Sequence, residues 1–185
     1  MEELKHNKME ESIPIPSGVE VSVEHQKVTV KGKNGSMEKA LKNPFVTIKK
    51  ENNAVVLTAP TDVRKYKRML YTIRSHINNM MKGAQEGYTY KLKICSGHFP
   101  ITVKVEGQQV VVTNFLGEKI PRKCKILPDV KVKIDKDTIL VQSHNVESAG
   151  QTAANIEQLT GVGKRDRRAF QDGCYIIEKP GRVFI

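Results

Sequence analysis

With 185 residues the chain can form one large domain or two small ones, and 38% hydrophobic against 28% charged residues allows packed cores in a charged protein. Lysine and arginine number 31 against 20 acidic residues, a formal charge of +11, which favours a polyanionic partner. No stretch of roughly 18 apolar residues exists to span a bilayer. The segment from Met1 to Ser12 mixes charges of both signs without an apolar run of signal-peptide type, so the chain is expected inside the cell.

Residues 1–12 read as a loose tail. Val19, Val21 and Val23 then alternate with polar residues, as do Val28 and Val30, the period of two half-buried strands joined by a short turn. Gly32-Lys33-Asn34-Gly35 reads as a glycine turn, without the helix that a phosphate loop requires. The Asn34-Gly35-Ser36 acceptor pattern belongs to the same turn. A second strand pair is predicted around Phe45 to Lys49 and Ala54 to Ala59, with Glu51-Asn52-Asn53 turning between them. Pro60-Thr61-Asp62 offers a helix start. Tyr66, Met69, Leu70, Ile73, Ile77, Met80 and Met81 follow at spacings of three and four, which makes one apolar helix face. Gly83 is placed to end that helix. Tyr88, Tyr90, Leu92 and Ile94 alternate with Thr89, Lys91 and Lys93, which predicts a closing strand with one basic face.

The second half repeats the first. Val23-Glu24, Gln26, Val28 and Val30 recur in the same register as Val105-Glu106, Gln108, Val110 and Val112, and Gly35 then falls on Gly117. Strands are predicted near Ile101 to Val105, Val110 to Phe115, Val130 to Ile134 and Thr138 to Gln142. Asn145 can cap a helix carrying Val146, Ala149, Ala153 and Ile156 on one face, and a closing strand follows around Cys174 to Glu178. Each copy reads strands, helix, strand. The fold class is therefore α+β, as two tandem similar domains, each a mostly antiparallel or mixed β-sheet packed with one main α-helix. Their predicted bounds are 13–95 and 96–185, joined near Cys95 to Pro100.

Positive charge concentrates in three places. Lys164, Arg165, Arg167 and Arg168 follow the second helix, directly after Gly161 and Gly163. Arginine offers forked donors to phosphate oxygens, and glycine removes the side chain that would hold two backbones apart. Arg64 and Arg68, with Lys65 and Lys67, lie in the first turns of helix one, where a solvated helix face is the plainer alternative. Arg122 and Lys123, with Lys119 and Lys125, form the third group. The candidate RNA-contacting residues are thus Gly161, Gly163, Lys164, Arg165, Arg167, Arg168, Arg122, Lys123, Arg64 and Arg68. There are five Phe, five Tyr and no Trp, and Tyr66, Tyr88 and Tyr90 fall on core-facing positions, so recognition through phosphates and shape suits the chain better than base stacking.

Catalytic chemistry finds no pattern to rest on. His6, His25, His76, His98 and His144 are scattered, and none sits in a zinc-helix motif, beside a nucleophile elbow or near a Walker-type loop. Asp135 and Asp137 have the spacing of a metal loop without its downstream ligands. Cys95, Cys124 and Cys174 are widely spaced and read as structural thiols. No enzyme, cofactor or metal site is expected. A free-standing RNA-binding regulator and a small nucleic-acid enzyme are the competing readings.

Three blocks carry a family resemblance. They are Thr72-Ile73-Arg74-Ser75-His76-Ile77-Asn78-Asn79-Met80-Met81-Lys82-Gly83 with Gly87-Tyr88-Thr89-Tyr90-Lys91, then His98-Phe99-Pro100-Ile101 with Asn114-Phe115-Leu116-Gly117-Glu118-Lys119, and last Asp166-Arg167-Arg168-Ala169-Phe170-Gln171-Asp172-Gly173 with Tyr175 and Glu178-Lys179. In this order they resemble the large-subunit ribosomal protein family numbered six in bacteria and nine in eukaryotes, most closely its eukaryotic and archaeal branch. The resemblance implies tandem α+β domains and a structural role on the large ribosomal subunit near the factor-binding region and the sarcin–ricin loop. It also implies rRNA contacts through Lys164, Arg165, Arg167 and Arg168, neighbouring ribosomal proteins as partners, and translation factors nearby. The location it implies is the cytoplasmic ribosome, with nucleolar assembly if the source is eukaryotic. The chain departs from animal members in lacking tryptophans before the first helix, which it approaches through Ala59-Pro60-Thr61.

Overall fold

The computed structural model describes residues 8–24, 26–163 and 165–184, and the chain divides into two compact units between Glu86 and Gly87. The strands of the first unit are β1 (Met9–Pro14), β2 (Glu20–Glu24), β3 (Lys27–Gly32), β4 (Gly35–Ala40), β5 (Thr47–Glu51) and β6 (Ala54–Ala59), followed by helix α1 (Arg64–Gln85). They form two antiparallel sheets, ordered β2-β3-β4 and β1-β6-β5. The valine alternation does what its period requires: Val21 pairs with Val30 and Val23 with Val28, and Val28 and Val30 are fully buried. Against them, and against Val55 and Leu57, α1 lays Leu70, Ile73, Ile77, Met80 and Met81. Each such side chain contributes about 1.5–3 kcal/mol by leaving water.

Both ends of α1 differ from the sequence expectation. The helix begins after Val63, which offers no side-chain cap, while Asp62 is drawn into an ion pair with Lys67 at 2.7 Å. It runs through Gly83, which is buried, and stops at Gln85, with Gly87 taking the left-handed φ of 75° that follows a helix end. Packing explains the extension. The last turn presses on Gly32, where a Cβ would lie 2.6 Å from the Ala84 carbonyl oxygen, and Asn34 N donates to that same oxygen at 3.1 Å.

The second unit contains β7 (Tyr88–Cys95), β8 (Thr102–Glu106), β9 (Gln109–Thr113), a short 3-10 turn at Phe115–Gly117, β10 (Arg122–Lys125), β11 (Val130–Asp135), β12 (Thr138–Ser143), α2 (Val146–Leu159), β13 (Gly173–Lys179) and β14 (Arg182–Val183). Its sheets are ordered β10-β9-β8 and β11-β12-β7-β13-β14. Asn145 caps α2 as expected, its side chain accepting from Glu147 N at 3.0 Å. Ala149, Ala153 and Ile156 are fully buried beneath it.

The two units share one topology: a three-stranded meander, then a hairpin whose second strand pairs with the unit's first strand, then the helix. In that comparison β1-β6-β5 matches β7-β12-β11. Residues 88–95, expected to close the first domain, instead open the second, because Tyr90 and Leu92 are buried in the second unit's core. Residues 9–12, expected in the loose tail, lie in β1, paired to β6, and Met9 packs on the first core. Strand β13 is an addition on the free edge of β7. Cys95 and Cys124 are half-buried and Cys174 is buried, all as free thiols. Among the described residues no helix is long and apolar enough to cross a membrane.

The buried face of α1 sets a test. Ile73→Asp places an unpaired charge in the first core and should cost about 3–5 kcal/mol. Chemical denaturation measures it, and a wild-type midpoint would show the face to be solvated.

Candidate nucleic-acid interface

The segment between α2 and β13 is fixed at both ends. At the first, α2 closes on Thr160, whose hydroxyl accepts from Cys174 N at 2.8 Å, while Glu157 Oε1 accepts from Ile176 N at 3.0 Å. These two side chains satisfy amide groups on the outer edge of β13, beyond the reach of the short β14. Arg122, reaching in from β10, donates to the Leu159 carbonyl at 2.7 Å and to that of Gly161 at 3.3 Å. A fork to Glu118, at 2.6 and 2.8 Å, and the Phe115 ring, 4.3 Å away, hold its guanidinium in place. The hydrogen bonds from Arg122 keep the Glu118 carboxyl below its ordinary pKa. A cation on the last carbonyls of a helix also complements the helix dipole.

At the far end stands Asp172, 1% exposed, which accepts from Gly97 N at 2.6 Å, from His98 N at 3.0 Å and from the His98 ring at 2.6 Å. Burial works to raise its carboxyl pKa, but the hydrogen bonds from His98 and Gly97 outweigh that and hold it below the usual value. The His98 ring stacks on that of Phe170 at 4.6 Å, and the Arg165 guanidinium lies 4.8 Å from the Phe170 ring.

Between these anchors Gly161, Gly163, Arg165, Arg167 and Arg168 are exposed. Lys164 lies outside the described residues. A Cβ on Gly163 would meet nothing within 4 Å, so internal packing does not demand glycine there. Arg168 is partly neutralised by Asp166 at 2.9 Å, and the Asp166 carboxyl is held low by that contact. Arg167 lines a pocket with Gln158, Gly161 and Tyr175.

The structure therefore brings Arg122, a separate cluster in the sequence, to the base of the 161–168 segment. It does so as a brace and not as a free surface cation. Lys123 points to the opposite side of β10 and is exposed. Arg64 and Arg68 are exposed on α1 in the first unit, where Arg68 borders a depression with Asn43, Lys65 and Thr72. The brace made by His98, Phe170 and Asp172 was missed in the sequence. Each partner falls inside one of the resemblance blocks, yet 74 residues separate His98 from Asp172 and nothing local links them. Among the described residues no group of His, Cys, Asp and Glu is placed to hold a metal ion.

The depressed Asp172 carboxyl gives a pH dependence with a definite sign. Its contribution is fully present above the free carboxylate value, about 3.9, and is lost as pH falls through the lower folded value. Asp172→Asn should cost about 2 kcal/mol at neutral pH and flatten the acid limb of the Tm profile. An unaltered acid limb would show that the contact carries no stability.

A family model described as Ribosomal protein L6 matches residues 15–87 and 99–173, one segment in each half of the chain. The large ribosomal subunit protein uL6 of Methanococcus vannielii is 46% identical over 173 residues, covering 94% of this chain and 95% of the relative. That of Natronomonas pharaonis is 43% identical over 174 residues, covering 94% and 98%. The protein of the same name from Halobacterium salinarum is 44% identical over 170 residues, covering 92% and 96%. Matches of this extent at this identity settle the family: the chain belongs to the ribosomal protein L6 family, whose members are structural constituents of the ribosome and not enzymes.

Proposed function

We propose that this protein is a structural constituent of the large ribosomal subunit that binds rRNA and supports the factor-binding region near the sarcin–ricin loop in cytoplasmic translation. The observation that carries the reading is a short run of exposed arginines on a segment braced at both ends, by Arg122 on one side and Asp172 on the other. A fixed loop loses little entropy on binding, so its charge goes into phosphate contacts. The names of the relatives support the large subunit, and the chain's excess of cations supports RNA as the partner.

In this reading Arg165, Arg167 and Arg168, with Lys164 beside them, contact phosphates, and Gly161 and Gly163 allow the RNA backbone close. Lys123 adds a peripheral contact, while Arg122 acts by positioning. Arg64 and Arg68 form a separate contact of the first unit. Neighbouring ribosomal proteins are partners. The place near the sarcin–ricin loop, and translation factors as neighbours, rest on the family resemblance alone. The protein works on cytoplasmic ribosomes, with nucleolar assembly in a eukaryotic source.

Replacing Lys164, Arg165, Arg167 and Arg168 with Ala tests the loop. The slope of log affinity for large-subunit rRNA against log salt should fall by roughly three to four units, with the circular dichroism spectrum unchanged. An unchanged slope would move the footprint to Arg64 and Arg68 or to Lys123. Sedimentation tests the wider reading. The protein should stay with large subunits through a high-salt wash, whereas a free-standing RNA-binding regulator would be released.

A further inference from the structure

One face of the five-stranded sheet carries α2, and residues such as Leu92, Ile139 and Val141 are buried beneath it. The alternate residues point the other way, and the strand registers arrange them in rows. Lys131 lies opposite Gln142, which lies opposite Thr89. Lys133, Leu140, Lys91 and Glu178 make the next row. In the third, Asp135 lies opposite Thr138, and Lys93 sits between Thr138 and Tyr175. A neutral strand therefore separates two strands that each carry lysines. Cα positions two residues apart on a strand are about 7 Å apart, and strands on either side of a third are about 10 Å apart. All four ammonium groups thus fall within roughly one Debye length of another.

Glu178 neutralises Lys91 at 2.5 Å. Lys93, Lys131 and Lys133 are exposed, and none of the three has an ion-pair partner among the described residues. Asp135 offsets part of this charge, but three lysines against its one carboxylate leave the face positive, and an approaching polyanion relieves their mutual repulsion. The patch also leads to the basic loop: Tyr175 is the register partner of Lys93, and it lines the same pocket as Arg167. An acidic protein is the poorer occupant. Lysine is depleted from protein–protein interfaces, and besides the Tyr175 ring at its edge this face offers one half-buried apolar side chain, Leu140, as an anchor. Flexible point charges at spacings of about 7–10 Å suit a phosphate backbone.

We propose that this outer sheet face is a second phosphate-binding surface, continuous with the loop through Tyr175 and Arg167, which takes the sugar–phosphate backbone of folded RNA. The proposal rests on the reading of the loop as an RNA contact.

The test uses the full chain with deproteinised large-subunit rRNA, and compares Lys93→Gln/Lys131→Gln/Lys133→Gln with Arg165→Gln/Arg167→Gln/Arg168→Gln over a salt series. The lysine variant should lose about two to three units of salt slope, keep or raise its Tm at low salt, and recover binding with arginine at the same positions. Its loss should add to that of the loop variant. Wild-type slope and affinity in the lysine variant, beside a defective loop variant, would overturn the second surface and leave the loop reading intact. Failure of the wild-type protein to bind rRNA at all would overturn both. Normal rRNA binding by a lysine variant that is lost from large subunits would assign the face to an acidic protein neighbour and overturn the proposal.

Discussion

Asp172 is the group on which the candidate RNA-binding end of the second unit depends. A carboxylate removed from water is costly unless hydrogen bonds replace its hydration, and here two backbone amides and a ring nitrogen do so. All three donors come from Gly97 and His98, just beyond the end of β7, whereas the acceptor precedes β13. The contact therefore ties the residues that lead into β8 to the residues that leave the basic segment. Phe170, stacked on His98, extends the tie to Arg165. With Arg122 closing the other end, the cations stand on a loop whose two feet are fixed.

The same region shows why β7 is the pivotal strand. It is paired on both sides, with β12 and with β13, and so sits inside the sheet that supports α2. Its inward residues fill the core, and its outward lysines join those of β11 to make a charged face. The basic loop leaves from α2 and returns to β13, and both of those elements pack on β7. Core packing and surface charge are thus set by alternate residues of one strand.

Much of this could be read from the sequence, for identifiable reasons. The valine alternation, the apolar stripe of α1 and the Asn145 cap are local signals, and local periodicity is enough to define them. The repeated Val-Glu-x-Gln segments mark equivalent hairpins, Val23 with Val28 and Val105 with Val110. The assignment of 88–95 to the first unit failed because a strand's pattern reveals which face is buried and not which sheet it joins. β4 and β10 went unseen because residues 35–40 and 122–125 are too polar to alternate clearly. In the candidate site, charge density singled out the arginine-rich loop, but it could not separate Arg122, spent on Glu118 and two carbonyls, from arginines open to solvent. That distinction needs geometry, as did the link between His98 and Asp172.

The 161–168 segment and the outer face of the β7 sheet are the principal proposed RNA-facing parts of the second unit. Ultraviolet crosslinking of intact large subunits, followed by mass spectrometry of the protein's RNA-linked peptides, examines that without any mutation. Crosslinks should fall on peptides carrying residues 161–168 and on those around Lys93, Lys131 and Lys133. Crosslinks confined to other parts of the chain, with these peptides recovered free of RNA, would contradict the account.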